Sequence, residues 1–593
     1  MAPPTVYTSP LPGPPILSTS IFTRLFGASH ASEVGGFPGS VKAFVDAASG
    51  ASVTRSQLKN LALSFAYGLK NNPNTSPFAS RGNTVLIYSP NSLAWPVVLF
   101  GSVAAGLRCT LANSSYTSHE LAYQFNDSGA KLIFSTEDGL EVVRKMFAEI
   151  GFAKNEAEKR IVVLGNDLRW AGGPSAPRNP TSAGLARMED FLDKGKLEQE
   201  EKFEASAANE TVYLCYSSGT TGKPKGVETT HQNITTLLDI VLPAYPALNT
   251  ESDIMLGILP FYHIYGVAKL VHFPFICGCP VVVQTRFEPE TFCAVIQKYR
   301  VTQALVVPPV LVILARHPAV DKYDLSSLRI LFSGAAPLGQ ALAKAVKQRL
   351  MANRGGRGDV GITQGYGLTE TSPTTHLLQV ADADRKMGSI GILLPNLEAR
   401  LVDDDEGKVD AAAGEPGELW IRGKTVMKGY LNNPSATKNA ITPDGWFKTG
   451  DVAIRDKDGF YYIVDRRKEL IKYKGFQVPP AELESVLLTH PDIADAAVIG
   501  LESVSEATEL PRAYIVHAHP EKIKTAKAKL EFGNSVIKWM ETKVARHKFL
   551  RGGVGIIDVI PKSAAGKILR RELRDRAKQE AAQGELGGIK AKL

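Results

Sequence analysis

Short apolar runs recur along the first three quarters of the chain. Thr84-Val85-Leu86-Ile87-Tyr88, Lys131-Leu132-Ile133-Phe134 and Ile161-Val162-Val163-Leu164 are rich in β-branched and aromatic residues, the pattern of buried strands. Between the first two lies an apolar segment, 93–105, that predicts a helix after the turn Ser89-Pro90-Asn91-Ser92, with Asn91 or Ser92 as its cap. Strand, helix and strand at this spacing mean a parallel α/β sheet. The alternation resumes downstream, with strands expected at 211–215, 254–259, 281–284, 303–307 and 328–332 and helices at 231–241 and 267–277, so a second α/β unit is expected.

From Leu397 the period falls to two. Leu397-Glu398-Ala399-Arg400-Leu401-Val402 and Glu418-Leu419-Trp420-Ile421-Arg422 alternate, which predicts antiparallel strands in a small barrel-like piece. After residue 479 come a helix start at Pro480, strands at 496–499 and 512–517, a helical stretch over 524–542 and a strand at 554–560, a compact α+β domain. Two stretches break the pattern. Residues 1–40 are Pro- and Ser-rich and are expected to drape over the surface; residues 165–208 read as loop plus a solvated helix around the charged run Glu198–Lys202.

The length of 593 residues allows two or more domains with substantial cores, and 44% hydrophobic with 22% charged residues is ordinary globular composition. The net charge of +8 comes without a basic stripe interleaved with aromatics, so no nucleic-acid partner is expected; it suits a protein that handles anionic nucleotides. No run is long enough for a membrane span. The five cysteines, Cys109, Cys215, Cys277, Cys279 and Cys293, are odd in number, lack metal-site spacing and sit mostly in apolar runs, as core thiols of a reducing compartment do.

The densest chemistry is in Tyr216-Ser217-Ser218-Gly219-Thr220-Thr221-Gly222-Lys223-Pro224-Lys225-Gly226. A loop leaving a buried strand with glycines, hydroxyls and two lysines can turn backbone N–H groups, O–H groups and positive charge onto a polyphosphate. It is not a Walker loop. Only Thr220 and Thr221 separate Gly219 from Gly222, and Pro224 stands where a metal-binding hydroxyl is required.

This loop resembles the phosphate-binding signature of the adenylate-forming superfamily, which includes acyl- and aryl-CoA ligases, luciferases and peptide-synthetase adenylation domains. Further motifs follow in the family's order over nearly the whole chain. The resemblance implies that Ser217, Ser218, Gly219, Thr220, Thr221, Gly222, Lys223 and Lys225 hold the phosphates of ATP, and that Gly334, Ala335 and Ala336 lie along the adenine. In Gln364-Gly365-Tyr366-Gly367-Leu368-Thr369-Glu370 it implies that Tyr366 stacks on adenine, Thr369 donates to the α-phosphate and Glu370 holds Mg²⁺. Asp451, in Thr449-Gly450-Asp451, would accept from the ribose hydroxyls, with Arg466 nearby.

Residues 466–478 match the family's hinge, with Lys468 near its pivot, between a large domain at 41–465 and a small lid domain at 479–586. Lys472, Lys474, Gly475 and Gln477 match positions that serve the adenylate or CoA, and Lys567 matches the essential lysine of the small domain. His263 leads an aromatic segment, Phe261-Tyr262-His263-Ile264-Tyr265, whose form is similar to 4-coumarate–CoA ligases. The implied acid pocket comprises His263, Tyr265, Val307, Pro308, Gly334, Gly365, Gly367 and Thr374; Gly365 and Gly367 are expected to leave room for the acyl group, and no cation for a second carboxylate is apparent.

The implied enzyme is an ATP-dependent acid–CoA ligase for an aryl, cinnamate-like or medium-chain acid, with ATP, Mg²⁺ and CoA, and Lys567, Thr369, Glu370, His263, Lys472 and Gln477 in the chemistry. Loading of a separate carrier protein, a luciferase-like oxidation and a nucleotide-binding scaffold are the alternatives. Residues 587–593 form a tail in which Ala591-Lys592-Leu593 resembles the Ser-Lys-Leu peroxisomal address, implying an import receptor as partner.

Overall fold

The structure, a computed structural model, describes residues 4–217, 224–404, 406–474, 476–503, 508–563 and 566–583. Two large sheets dominate. The first has eight strands and takes in Thr84–Tyr88, Arg108–Ala112, Ala130–Thr136 and Ile161–Leu164, paired in parallel, and Thr211–Ser217 beside Arg108–Ala112. The second has nine and runs Met255–Gly257, Gln303–Val306, Ile330–Ser333 and Gly361–Gly367 side by side in parallel. Helices Ala94–Ala104 and His231–Val241 are buried along their entire length, and one hydrophobic core extends across both sheets. Ala94–Ala104 is apolar on nearly every side, as burial all round requires. His231–Val241 buries polar side chains as well, among them Asn233, whose amide donates to Lys424 O (2.7 Å) and Val426 O (3.0 Å).

The period-two region is a five-stranded antiparallel sheet that includes Leu397–Val402, Gly417–Gly423, Phe447–Arg455 and Tyr461–Arg466. Beyond it a hairpin, Ile471–Tyr473 with Phe476–Val478, leads into the small domain. There Ile493–Ser503, Thr508–His517 and Val554–Ile556 form a sheet, and helices Pro480–Leu487, Ala526–Glu541 and Arg570–Ala582 complete the fold.

Three expectations are corrected. Residues 1–40 do not merely drape: helix Ile21–Phe26, capped by Ser20, buries Ile21, Phe22, Leu25 and Phe26 in the main core, and Tyr7–Thr8 adds a strand to the five-stranded sheet. The charged run 198–202 forms no helix; Glu201 instead pairs with Lys70 at 2.7 Å and Glu200 with Lys202 at 2.7 Å. Asn91 does not cap the following helix. It is 3% exposed, its Nδ2 donates to Leu259 O (2.9 Å) and its Oδ1 accepts from Phe261 N (2.9 Å). A buried amide must spend its hydrogen-bonding groups, and Asn91 spends them joining the first sheet to the segment that carries His263.

Candidate active site

Register places the motifs together. Val306, Ser333 and Gln364 are consecutive partners across the second sheet, so Val307-Pro308, Gly334-Ala335-Ala336 and Gly365-Tyr366-Gly367 leave adjacent strand ends in a row. Ligands of open α/β sheets bind at that end of the strands. Thr374 pairs with Gly367 and is buried. Ala335 adopts φ +68°, a left-handed backbone that costs a non-glycine residue about 1 kcal/mol or more.

The phosphate loop joins two antiparallel strands rather than a strand and a helix. Ser217 faces Lys225 across Thr211–Ser217 and Lys225–Thr230, and the helix His231–Val241 follows the second strand, capped by Thr230. Ser218, Gly219, Thr220, Thr221, Gly222 and Lys223 lie outside the described residues, as does Gly475. At the base of the loop, Ser217 Oγ donates to Glu370 Oε1 (3.1 Å) and Tyr430 OH donates to the same oxygen (2.9 Å). The Lys225 ammonium stands 4.7 Å over the Tyr430 ring. Tyr216 OH donates to Asp127 Oδ2 (2.6 Å) and Tyr123 OH to Pro224 O (2.9 Å), fixing both ends of the loop. No local pattern marked Tyr430; it arrives by pairing of the two-residue strand Gly429–Tyr430 at the edge of the first sheet.

Asp451 is buried and sits between Tyr366 OH, which donates to Oδ2 at 2.6 Å, and Arg466 Nε, 3.2 Å from Oδ1. Burial raises its carboxyl above the ordinary range, against the pull of Arg466, the Tyr366 hydroxyl and Lys567. Lys567 reaches this cluster from the small domain. Burial lowers its ammonium to about 8, helped by the charge of Arg466 and opposed by those of Asp451, Glu469 and Glu370. Its loop is closed by Ser563 N donating to Lys567 O (2.8 Å), and a Cβ at Gly566 would lie 3.5 Å from Pro309 Cγ and 3.6 Å from Val307 Cγ2. The small domain is therefore seated with its lysine loop over the strand ends.

The pocket glycines have packing reasons of their own. A side chain at Gly334 would strike the Tyr265 ring (2.8 Å to Cζ), one at Gly365 the Phe332 ring (2.6 Å to Cζ), and one at Gly367 the Pro373 carbonyl. Gly365 and Gly367 thus admit neighbouring protein groups. Gln364 Oε1 accepts from Leu338 N (3.3 Å), holding the Ala335-Ala336 turn. His263 is half-buried and caps the next helix through Nδ1, which accepts from Tyr265 N (3.2 Å); burial lowers its imidazole to about 4, so it stays neutral at physiological pH.

Lys472, Lys474 and Gln477 are not brought to the cluster. Their hairpin side chains are exposed, and Lys472 N and Lys474 N donate to Glu509 Oε2 (2.7 Å) and Thr508 Oγ1 (2.7 Å) within the small domain. Within the run expected as a helix over 267–277, Lys269 is a buried cation.

A family model for AMP-binding enzymes matches residues 32–431, and one for the AMP-binding enzyme C-terminal domain matches 482–567. The chain belongs to the AMP-binding enzyme family. A probable 4-coumarate–CoA ligase 1 from Dictyostelium discoideum is 38% identical over 497 residues, 84% of this chain and 86% of its own length. Peroxisomal OPC-8:0-CoA ligase 1 from Arabidopsis thaliana is 33% identical over 567 residues, covering 95% and 94%. Among solved structures, an anthranilate CoA ligase in complex with anthranoyl-AMP superposes with a TM-score of 0.78 at 24% identity, over 96% of this chain and 99% of that one. An o-succinylbenzoate CoA synthetase from Bacillus subtilis, in complex with its acyl-adenylate, gives 0.71 at 25% identity, over 94% and 98%. The expected architecture, two α/β subdomains, an antiparallel piece and a separate α+β domain, is that of this fold.

Proposed function

We propose that the chain is an ATP-dependent, AMP-forming acid–CoA ligase and that the two half-reactions use opposite faces of its small domain. The observation that carries the proposal is the convergence of Lys567, from the small domain, on Glu370, Asp451 and Arg466 of the large domain and its boundary. In the first half-reaction, an acid carboxylate oxygen attacks the α-phosphorus of ATP and the bond to pyrophosphate breaks. Lys567 supplies a mobile positive charge where negative charge builds, and Asp451, oriented by Tyr366 and Arg466, accepts from the ribose hydroxyls. Thr369 and the phosphate-loop hydroxyls donate to phosphate oxygens. Positioning and electrostatics suffice; no covalent nucleophile is required.

The magnesium that accompanies ATP fits Glu370. Its carboxylate is oriented by two hydroxyls on one oxygen, and a hard cation takes one or two carboxylates together with substrate phosphates. Among the described residues no group of three or more metal-ligating side chains forms a cage, which suits an ion that arrives with its nucleotide. In the second half-reaction the CoA thiol loses its proton, attacks the acyl carbon and expels AMP. We assign Lys472, Lys474, Gly475 and Gln477 to that step, after rotation of residues 479–586 about the hinge 466–478 with Lys468 at its pivot.

The acid lies against His263, Tyr265, Val307, Pro308, Gly334 and Thr374, aryl or medium-chain in class. Delivery to the peroxisome is proposed for Ala591-Lys592-Leu593, which lie outside the described residues; the likeness to the Ser-Lys-Leu address and the peroxisomal relative support it. A reporter extended by this tripeptide should enter peroxisomes, and one ending in Ala591 alone should not.

The enzymatic test uses purified protein, MgATP and a panel of aryl and alkyl acids with and without CoA, read by mass spectrometry and pyrophosphate release. An acyl-CoA product supports the reading and gives the acid class. Acyl-AMP without thioester would replace it with carrier loading.

A further inference from the structure

Among the described residues, buried cations have partners, with one exception. Arg55 donates to Val34 O (2.9 Å) and Phe275 O (2.6 Å), Arg187 pairs with Glu137 (2.8 Å), Arg400 with Asp410 (2.8 Å) and Arg512 with Glu580 (2.8 Å). Lys269 is 4% exposed, yet among the described residues no carboxylate or hydrogen-bond acceptor meets its ammonium. Its ammonium stands over the Phe273 ring, 5.1 Å from the centroid. Nor is Cys277 a counter-ion, since burial pushes that thiol up to about 12 and keeps it neutral. An unpaired ammonium in a protein interior is costly and is ordinarily replaced or paired. Burial lowers Lys269 to about 7, so it can present either an ammonium or an amine to an incoming group.

The position of Lys269 says what that group is. The run begins with Ile264–Gly266, continues as a π-helical turn Val267–His272 and ends with Phe273–Ile276. Such π turns recur at functional sites. Tyr265 lies four residues before Lys269 and Phe273 four after, so the three share a face. Tyr265 abuts Gly334 and its hydroxyl reaches Phe332 O (3.4 Å); the Phe273 ring meets Tyr245 at 5.0 Å, and Tyr245 meets Phe332 at 6.3 Å. That face therefore runs along the strand end whose turn carries Gly334. One helical turn advances about 5 Å. With Tyr265 and Gly334 as walls of the acid site, an acid whose carboxyl lies toward Lys567 would carry its far end along this face toward Lys269.

We propose that Lys269 is a specificity-determining residue that binds an oxygen acceptor, a carboxylate or a neutral phenol or ketone oxygen, at the end of the acid remote from the reacting carboxyl. The proposal rests on the reading of Tyr265 and Gly334 as walls of the acid site.

The test compares matched acids, cinnamate with 4-hydroxycinnamate and 4-carboxycinnamate, and octanoate with octanedioate, in the wild type and Lys269→Met. The readout is the ratio of kcat/KM within each set, which cancels any general loss of activity. The wild type should favour an oxygenated member by about tenfold or more, the value of one charge-assisted hydrogen bond, and Lys269→Met should bring that ratio near one. Preference for the carboxylate over the phenol would assign a charged ligand; the reverse would assign a neutral one. No preference in the wild type, or an equal ratio in both proteins, overturns the proposal. So does failure of both Lys269→Met and Lys269→Gln to fold, which would make the lysine structural. Acyl-CoA from any acid supports the ligase reading whatever the ratio. If nothing turns over, thermal-shift titration with the same acids reads binding directly: greater stabilisation by oxygenated acids in the wild type alone supports the proposal, and none overturns it.

Discussion

Lys567 belongs to the small domain, and Lys472 to the hinge hairpin whose Ile471, Tyr473 and Val478 pack into that domain's core. The two lysines ride on one body, yet they stand in opposite surroundings. Lys567 is half-buried against the large domain, where three carboxylates and an arginine act on it, and burial has lowered its ammonium to about 8. Lys472 is exposed, and its backbone is tied to the small domain itself: N donates to Glu509 Oε2 (2.7 Å) and O accepts from Thr508 Oγ1 (2.7 Å). One face of the domain is on the strand ends and the other is in solvent. A rigid body cannot put both on one site at once, so if both serve the acid, they serve in turn.

Replacing each lysine should separate the two faces. Lys567→Ala should lower adenylation, followed as acid-dependent pyrophosphate release, by about a hundredfold to a thousandfold, the loss expected when one charge aimed at a transition state is removed. Thioester formation from supplied acyl-AMP should fall far less. Equal losses in the two assays would dissolve the contrast between the faces. Lys472→Ala and Gln477→Ala should do the converse, costing thioester formation about tenfold to a hundredfold with a smaller effect on pyrophosphate release. If they impair adenylation as deeply as Lys567→Ala does, the exposed hairpin has no separate role.

The same contrast can be read with protons. Adenylation needs Lys567 charged, so its kcat/KM should decline above about pH 8 and fall about tenfold by pH 9. Stability should move the other way. The folded protein holds this proton less tightly than the unfolded chain, whose lysine titrates near 10.5; between the two values the unfolded state binds more protons, and the protein gains stability as pH rises. A melting temperature that falls in step with activity over that window would mean that unfolding, not Lys567, sets the limb.

Much of this was legible in the chain. Strand runs such as 84–88 and 161–164 emerge as Thr84–Tyr88 and Ile161–Leu164, because a β-branched run buried on both faces has few other solutions. The residues gathered by register, Gly334, Tyr366, Asp451 and Arg466, belong to short motifs whose order could be followed. What escaped is long-range. Tyr430 reaches Glu370 across a separation of 60 residues, and Asn91 reaches Leu259 across 168, contacts that no window of sequence contains. Lys269 escaped for another reason. A lone cation in an apolar run was absorbed into the helix pattern, although a charge among so many apolar neighbours is itself a signal that something must answer it. The helix Ile21–Phe26 was hidden by the prolines that precede it.

The smallest expected effect concerns what holds the buried face in place. Arg316 ends the helix Pro308–Arg316, which starts beside the strand end at Val307, and its guanidinium donates to two small-domain carbonyls, Ile493 O (2.6 Å) and Leu488 O (3.0 Å). These bonds join the large domain to the small one in the arrangement that docks the Lys567 face, and the proposed rotation would break them. The residue is exposed, so water offers competing partners and each bond contributes at most about 1 kcal/mol. Arg316→Ala should therefore shift the balance between the two arrangements without touching either set of reacting groups. Pyrophosphate release should slow by about twofold to fivefold, while thioester formation from supplied acyl-AMP, which requires the undocked arrangement, should hold steady or quicken. Because the change is confined to the docked state, its effect should largely vanish in a Lys567→Ala background, where adenylation has already lost the benefit of docking. An undiminished effect there would place Arg316 outside the switch and leave the difference between the two lysine faces to the hinge alone.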